Sequence, residues 1–80
     1  MVLKGIKMKI YKYMLIKQTD NEVFKNKPVY RVYNKKSKEP LGIISYYPSW
    51  KEYIFSSKEG CVFNNSCLKD IIDFIENETD

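Results

Sequence analysis

The sequence predicts an α+β fold: a small antiparallel sheet of about four strands in meander order, with one C-terminal amphipathic helix packed on one face. Three observations predict it. Short runs rich in Tyr, Ile and Val are separated by polar or proline-containing connections as far as about residue 56. Beyond them, Leu68, Ile71, Ile72 and Ile75 recur at the i, i+3, i+4, i+7 spacing of one helix face. Finally, 80 residues with 44% hydrophobic and 15% aromatic side chains suffice for one core but not for two domains.

Residues 1–7 follow no pattern and read as a disordered basic extension, with Met8 as an alternative natural start. From 9 to 17 the run K-I-Y-K-Y-M-L-I-K suits a strand, although Lys12 interrupts the alternation. Residues 18–27 are polar and read as a loop, with Val23 and Phe24 folding back as its hydrophobic anchor. Residues 28–34 form a clearer strand, opened by Pro28 where a missing N–H costs least. After a polar connection, 41–47 reads as a buried strand. Pro48-Ser49 then turns the chain into a further strand over 52–56. The helix is expected from about 65 to 77, N-capped by Asn64, with Phe63 stapling onto Leu68.

Charge divides the chain. Residues 1–40 hold 11 Lys/Arg and 3 Asp/Glu, whereas 41–80 hold 3 Lys and 7 Asp/Glu. A gradient of this kind favours oriented association with a charged partner. Asp70, Asp73, Glu76 and Glu78 all fall on the helix, late for its dipole, and read as a solvated face or an acidic contact surface.

The residue inventory argues against catalysis. Histidine is absent, so the usual general base at neutral pH is missing, and neither Cys61 nor Cys67 has an imidazole to activate it. Two Cys without His do not complete a zinc site, and Gly5, Gly42 and Gly60 lie too far apart for a phosphate loop. No cofactor is expected. No run approaches the roughly 20 apolar residues of a membrane span, so the expected compartment is the cytoplasm, with both thiols reduced.

Two binding surfaces are legible. Around the Pro48-Ser49 turn, Tyr46, Tyr47, Trp50, Lys51 and Tyr53 concentrate aromatic anchors of the kind that dominate protein interfaces. In the basic half, Lys9, Tyr11, Lys12, Tyr13, Arg31, Lys35 and Lys36 interleave cations with rings, as in sheets that track phosphates and stack bases. The acidic helix would have to stay clear of such a polymer.

Tyr33-Asn34, Leu41-Gly42, Ile44, Tyr47, Trp50, Tyr53, Phe55, Val62-Phe63, Cys67-Leu68, Ile71 and Phe74-Ile75 form a spaced set. In it the second half resembles short phage- and prophage-type bacterial proteins that share a β-meander and C-terminal helix and have no assigned activity. The resemblance implies that fold and a phage or mobile-element setting. Small proteins of that setting include stoichiometric anti-defence inhibitors such as anti-CRISPR proteins. By that analogy the expected partner is a host protein or protein–nucleic acid complex, with nucleic acid itself as the alternative.

Overall fold

A computed structural model describes residues 7–24 and 27–79, with the backbone alone over 20–24. Five strands follow one another: β1 (Met8–Ile10), β2 (Met14–Phe24), β3 (Lys27–Asn34), β4 (Pro40–Tyr47) and β5 (Glu52–Ser57). They lie in the sheet in chain order, every neighbouring pair antiparallel. The helix α1 (Asn65–Glu78) closes the chain against one face. The architecture is the expected α+β meander, with five strands rather than four.

The extra strand comes from a break inside the run 9–17. The chain reverses at Lys12-Tyr13, where the Tyr11 N–H donates to the Met14 carbonyl at 2.8 Å. Reversal pairs Ile10 with Leu15 and Lys9 with Ile16, so two short strands replace one. No Gly, Pro or Asn marks this turn, and turn chemistry is what a sequence displays. The segment 18–27 is a second correction. It is strand as far as Phe24, and pairing with β3 resumes after a bulge at Val23 opposite Pro28. The anchoring role expected of the Val23 and Phe24 side chains lies outside the described residues, as does most of the extension over 1–7.

Register decides which side chains face the helix. Met14, Ile16, Tyr30, Val32, Ile44 and Tyr53 form one contiguous buried layer, closed from above by Ile71 and Phe74. Phe74 is fully buried and meets the Tyr30 ring edge-on at 4.9 Å. Leu15, Lys17, Arg31, Tyr33, Ile43 and Ile54 alternate onto the opposite face, which no second layer covers among the described residues.

The helix begins as expected. The Asn64 side-chain oxygen accepts from the Cys67 N–H at 2.8 Å, and its backbone is extended, as an N-cap requires. The buried stripe differs from the expected one. Leu68 and Ile72 are 44% and 53% exposed, whereas Cys67, Ile71, Phe74 and Ile75 face the sheet. The helix is rolled so that its one aromatic residue fills the centre of the core, because Phe74 buries more area than either aliphatic. Phe63, just before the cap, stacks edge-on against Phe55 at 5.2 Å.

Candidate functional site

Meander topology sorts the connections between two ends of the sheet. The β1–β2 and β3–β4 turns share one end, and the β4–β5 turn lies at the other. The two sets of candidate binding residues separate along the same axis.

At the β4–β5 end the chain turns over 48–51, held by the Trp50 N–H on the Tyr47 carbonyl and the Lys51 N–H on the Pro48 carbonyl, both 3.1 Å. Lys51 adopts φ 55°, the left-handed geometry that closes the turn. Trp50 is 65% exposed and stands edge-on to Tyr47, ring centroids 5.1 Å apart. It therefore projects from the tip and does not roof the core. Tyr46 is half-buried, with Lys27 Nζ 5.2 Å from its ring centre. Tyr53 is a core residue whose hydroxyl donates to the Pro28 carbonyl at 3.0 Å. The expected five-residue cluster thus divides into three exposed residues, Tyr47, Trp50 and Lys51, half-buried Tyr46 and buried Tyr53.

The seven residues marked for nucleic-acid contact divide three ways. Lys9 and Tyr11 turn toward the helix. The Tyr11 hydroxyl donates to Asp73 Oδ2 at 2.8 Å, and Lys9 Nζ reaches Asp73 and Glu78 at 3.3 and 3.4 Å. Lys7 adds a 3.6 Å ion pair to Glu78. Part of the charge gradient is therefore satisfied within the molecule, and the acids Asp73 and Glu78 are not simply solvated. Arg31 lies on the open face beside Ile43. The other four, Lys12, Tyr13, Lys35 and Lys36, come together.

They meet because Met14 pairs with Asn34, which sets the Lys12-Tyr13 turn beside the β3–β4 turn. The Lys35 N–H donates to the Tyr13 carbonyl at 2.9 Å and ties the two turns. Asn34 builds the second turn: its side-chain oxygen accepts from the Lys36 and Ser37 N–H groups at 2.9 and 3.0 Å. Lys38, at φ 67°, completes the reversal, and its ammonium returns to the Lys35 carbonyl at 2.8 Å. Lys12, Tyr13, Asn34, Lys35, Lys36 and Lys38 line an open cavity of about 500 Å³. Lys38 belongs to the same basic run as Lys35 and Lys36, whereas Asn34 was not among the residues marked from sequence. The Asn-x-x-Ser turn pattern was its only signal.

Among the described residues, the Lys9–Tyr11–Asp73 cluster is the one place where ionisation is clearly perturbed. Burial raises the Tyr11 phenol well above its ordinary value, and the Asp73 hydrogen bond raises it further. Asp73 is held below the usual carboxylate range by the Tyr11 hydroxyl first and by Lys9 second. The Asp73 hydrogen bond raises Lys9. A lowered carboxyl contributes stability that is complete above its ordinary pKa of 3.8 and is lost as pH falls through the folded value. Thermal unfolding followed by circular dichroism should therefore show a melting temperature that drops below about pH 4. In Asp73→Asn that acid-limb drop should be smaller. Parallel profiles for the two proteins would remove this cluster as an acid-sensitive contact.

Among the described residues no three His, Cys, Asp or Glu side chains gather as a metal-holding group, and both cysteines are free thiols. No described helix is long and apolar enough to cross a membrane. No family model, curated protein or solved structure matches this chain.

Proposed function

We propose that this is a non-catalytic interaction protein that binds a host protein stoichiometrically through the tip of the β4–β5 hairpin. One observation carries the reading: Trp50, 65% exposed and braced edge-on by Tyr47, is presented on a turn closed by two backbone hydrogen bonds. An indole held in place before association has less freedom to lose on binding. A complementary partner offers an apolar slot for Trp50 and an acidic rim for Lys51. The absence of histidine supports the non-catalytic half of the proposal. The phage-type setting, and with it an anti-defence role, rests on the sequence resemblance described above.

The test compares proteins retained from nuclease-treated host lysate by the wild type and by Trp50→Ala. A Trp anchor at an interface is worth at least about 2 kcal/mol, roughly 30-fold in affinity. Trp50→Ala should lose the retained protein while keeping its far-ultraviolet spectrum, and Tyr47→Ala should weaken retention less. The purified partner should saturate at a fixed molar ratio. Retention unchanged by Trp50→Ala would exclude the hairpin tip, and turnover of any substrate at trace concentration would exclude the non-catalytic reading.

A further inference from the structure

We infer that the lysine-lined cavity at the opposite end of the sheet is a binding site for a nucleotide unit of single-stranded nucleic acid, with phosphates on Lys12, Lys35, Lys36 and Lys38 and a base against Tyr13. The site is independent of the hairpin tip. Its geometry is tied down by backbone bonding: the two contributing turns are linked by the Lys35 N–H on the Tyr13 carbonyl, and Asn34 fixes the second turn from within. Four lysines from two connections that are 22 residues apart in sequence, Tyr13 to Lys35, therefore line one cavity, and no acid lines it among the described residues. Glu39, the one acid between residues 27 and 40, is absent from that lining. Asp73 and Glu78 are engaged with Lys9 on the helix side.

The chemistry selects among anions. All four cations are lysines, compact point charges suited to phosphate oxygens. The planar fork of arginine suits phosphate and carboxylate alike, and the only arginine, Arg31, is not in the lining of this cavity. Lysines meet a carboxylate as readily as a phosphate, so the choice between an acidic peptide and a nucleotide falls to the ring beside them. Tyr13 supplies the second element. The residue is 44% exposed and Lys12 Nζ is 5.2 Å from its ring centre, so an aromatic ring and a cation stand side by side. Single-strand binders use this pairing, because any unstacked base offers a π-face while its neighbouring phosphate meets the cation. A duplex hides that face. The cavity of about 500 Å³ has room for one nucleotide and is open enough for a strand to continue on either side.

The experiment is fluorescence anisotropy with a labelled oligothymidylate of about twelve nucleotides, within the usual site sizes. Competitors are uridine monophosphate, a duplex of the same length and polyglutamate. Four neutralised phosphates give a log–log salt slope near −3, at about 0.7 per phosphate for single strands. The double variant Lys12→Ala/Lys36→Ala should lower that slope by about 1.4. Tyr13→Leu should weaken binding between about fivefold and 150-fold with the slope unchanged, since the lost stacking is not ionic. Trp50→Ala should bind as the wild type does. Competition by uridine monophosphate as strong as by the unlabelled strand would assign the same site to free nucleotides. Polyglutamate or duplex competing as well as the single strand would overturn the inference. So would the absence of binding at low salt, or lysine and Tyr13 variants that are folded by circular dichroism and bind as the wild type does.

Discussion

Phe74→Ala should remove about half of the folding stability of this protein. The ring is fully buried at the centre of the core, edge-on to Tyr30 and beside Ile71. Truncating such a residue costs about 3–5 kcal/mol, through lost transfer energy and the cavity left behind. A domain of this size has only about 4–12 kcal/mol in total, at the usual stability per residue. The urea midpoint should therefore fall to about half the wild-type value, and at the low end of that range the variant should be unfolded in buffer. Leu68→Ala is the control. At 44% exposure it should shift the midpoint little, within about 0.5 kcal/mol. Equal losses in the two variants would mean that the helix is rolled differently on the sheet.

Gly42→Ala should be the most damaging of the small substitutions. Gly42, the third residue of β4, is opposite both Val32 and Ser57. A β-carbon built there would fall 2.5 Å from the Ser56 carbonyl oxygen and 2.7–2.8 Å from two carbons of the Phe55 ring. The ring could swing away, but the carbonyl belongs to the neighbouring strand and could move only if the strands parted. Overpacking of this kind costs about 1–3 kcal/mol. Phe55 also carries Phe63, the residue just before the helix cap, so the strain reaches the helix entry. Denaturant unfolding of Gly42→Ala, Phe55→Leu and the double variant would check this. The double variant should be more stable than the sum of the single losses implies, because Leu relieves one of the two clashes. Strict additivity, or a wild-type midpoint for Gly42→Ala, would refute the close packing.

These two residues also show where sequence reading succeeds and where it stops. The strands over 28–34, 41–47 and 52–56 were legible because alternation and proline-marked turns are local signals. The Asn64 cap was legible for the same reason. The reversal at Lys12-Tyr13 was not, since a turn without Gly, Pro or Asn leaves no local mark. The helix roll was missed because the aliphatic spacing from Leu68 and the alternative stripe through Phe74 are both valid helical periods. Only packing against Tyr30 distinguishes them. In the hairpin tip, composition pointed to five residues, but exposure belongs to the tertiary structure, which leaves Tyr47 and Trp50 out and Tyr53 in. Lys9 and Tyr11 were separated from Lys12 and Tyr13 by a single reversal of the chain. Strand register then brought Lys12 and Tyr13 to Lys35 and Lys36, a meeting no pairwise spacing announces.

A sheet whose spatial order repeats its chain order has a kinetic consequence. Every strand partner is the next strand along, so the sheet can assemble one hairpin at a time with short loops to close. The docking of α1 is different. Its polar contacts with β1 and the residue after it, Lys9 to Asp73 and Tyr11 to Asp73, join residues 64 and 62 apart, and they close around the finished sheet. Local contacts of the first kind favour rapid folding, and closures of the second kind carry the larger chain-entropy cost. The sheet is thus the natural nucleus and the helix clasp the final step. Weakening that clasp should quicken unfolding far more than it slows folding.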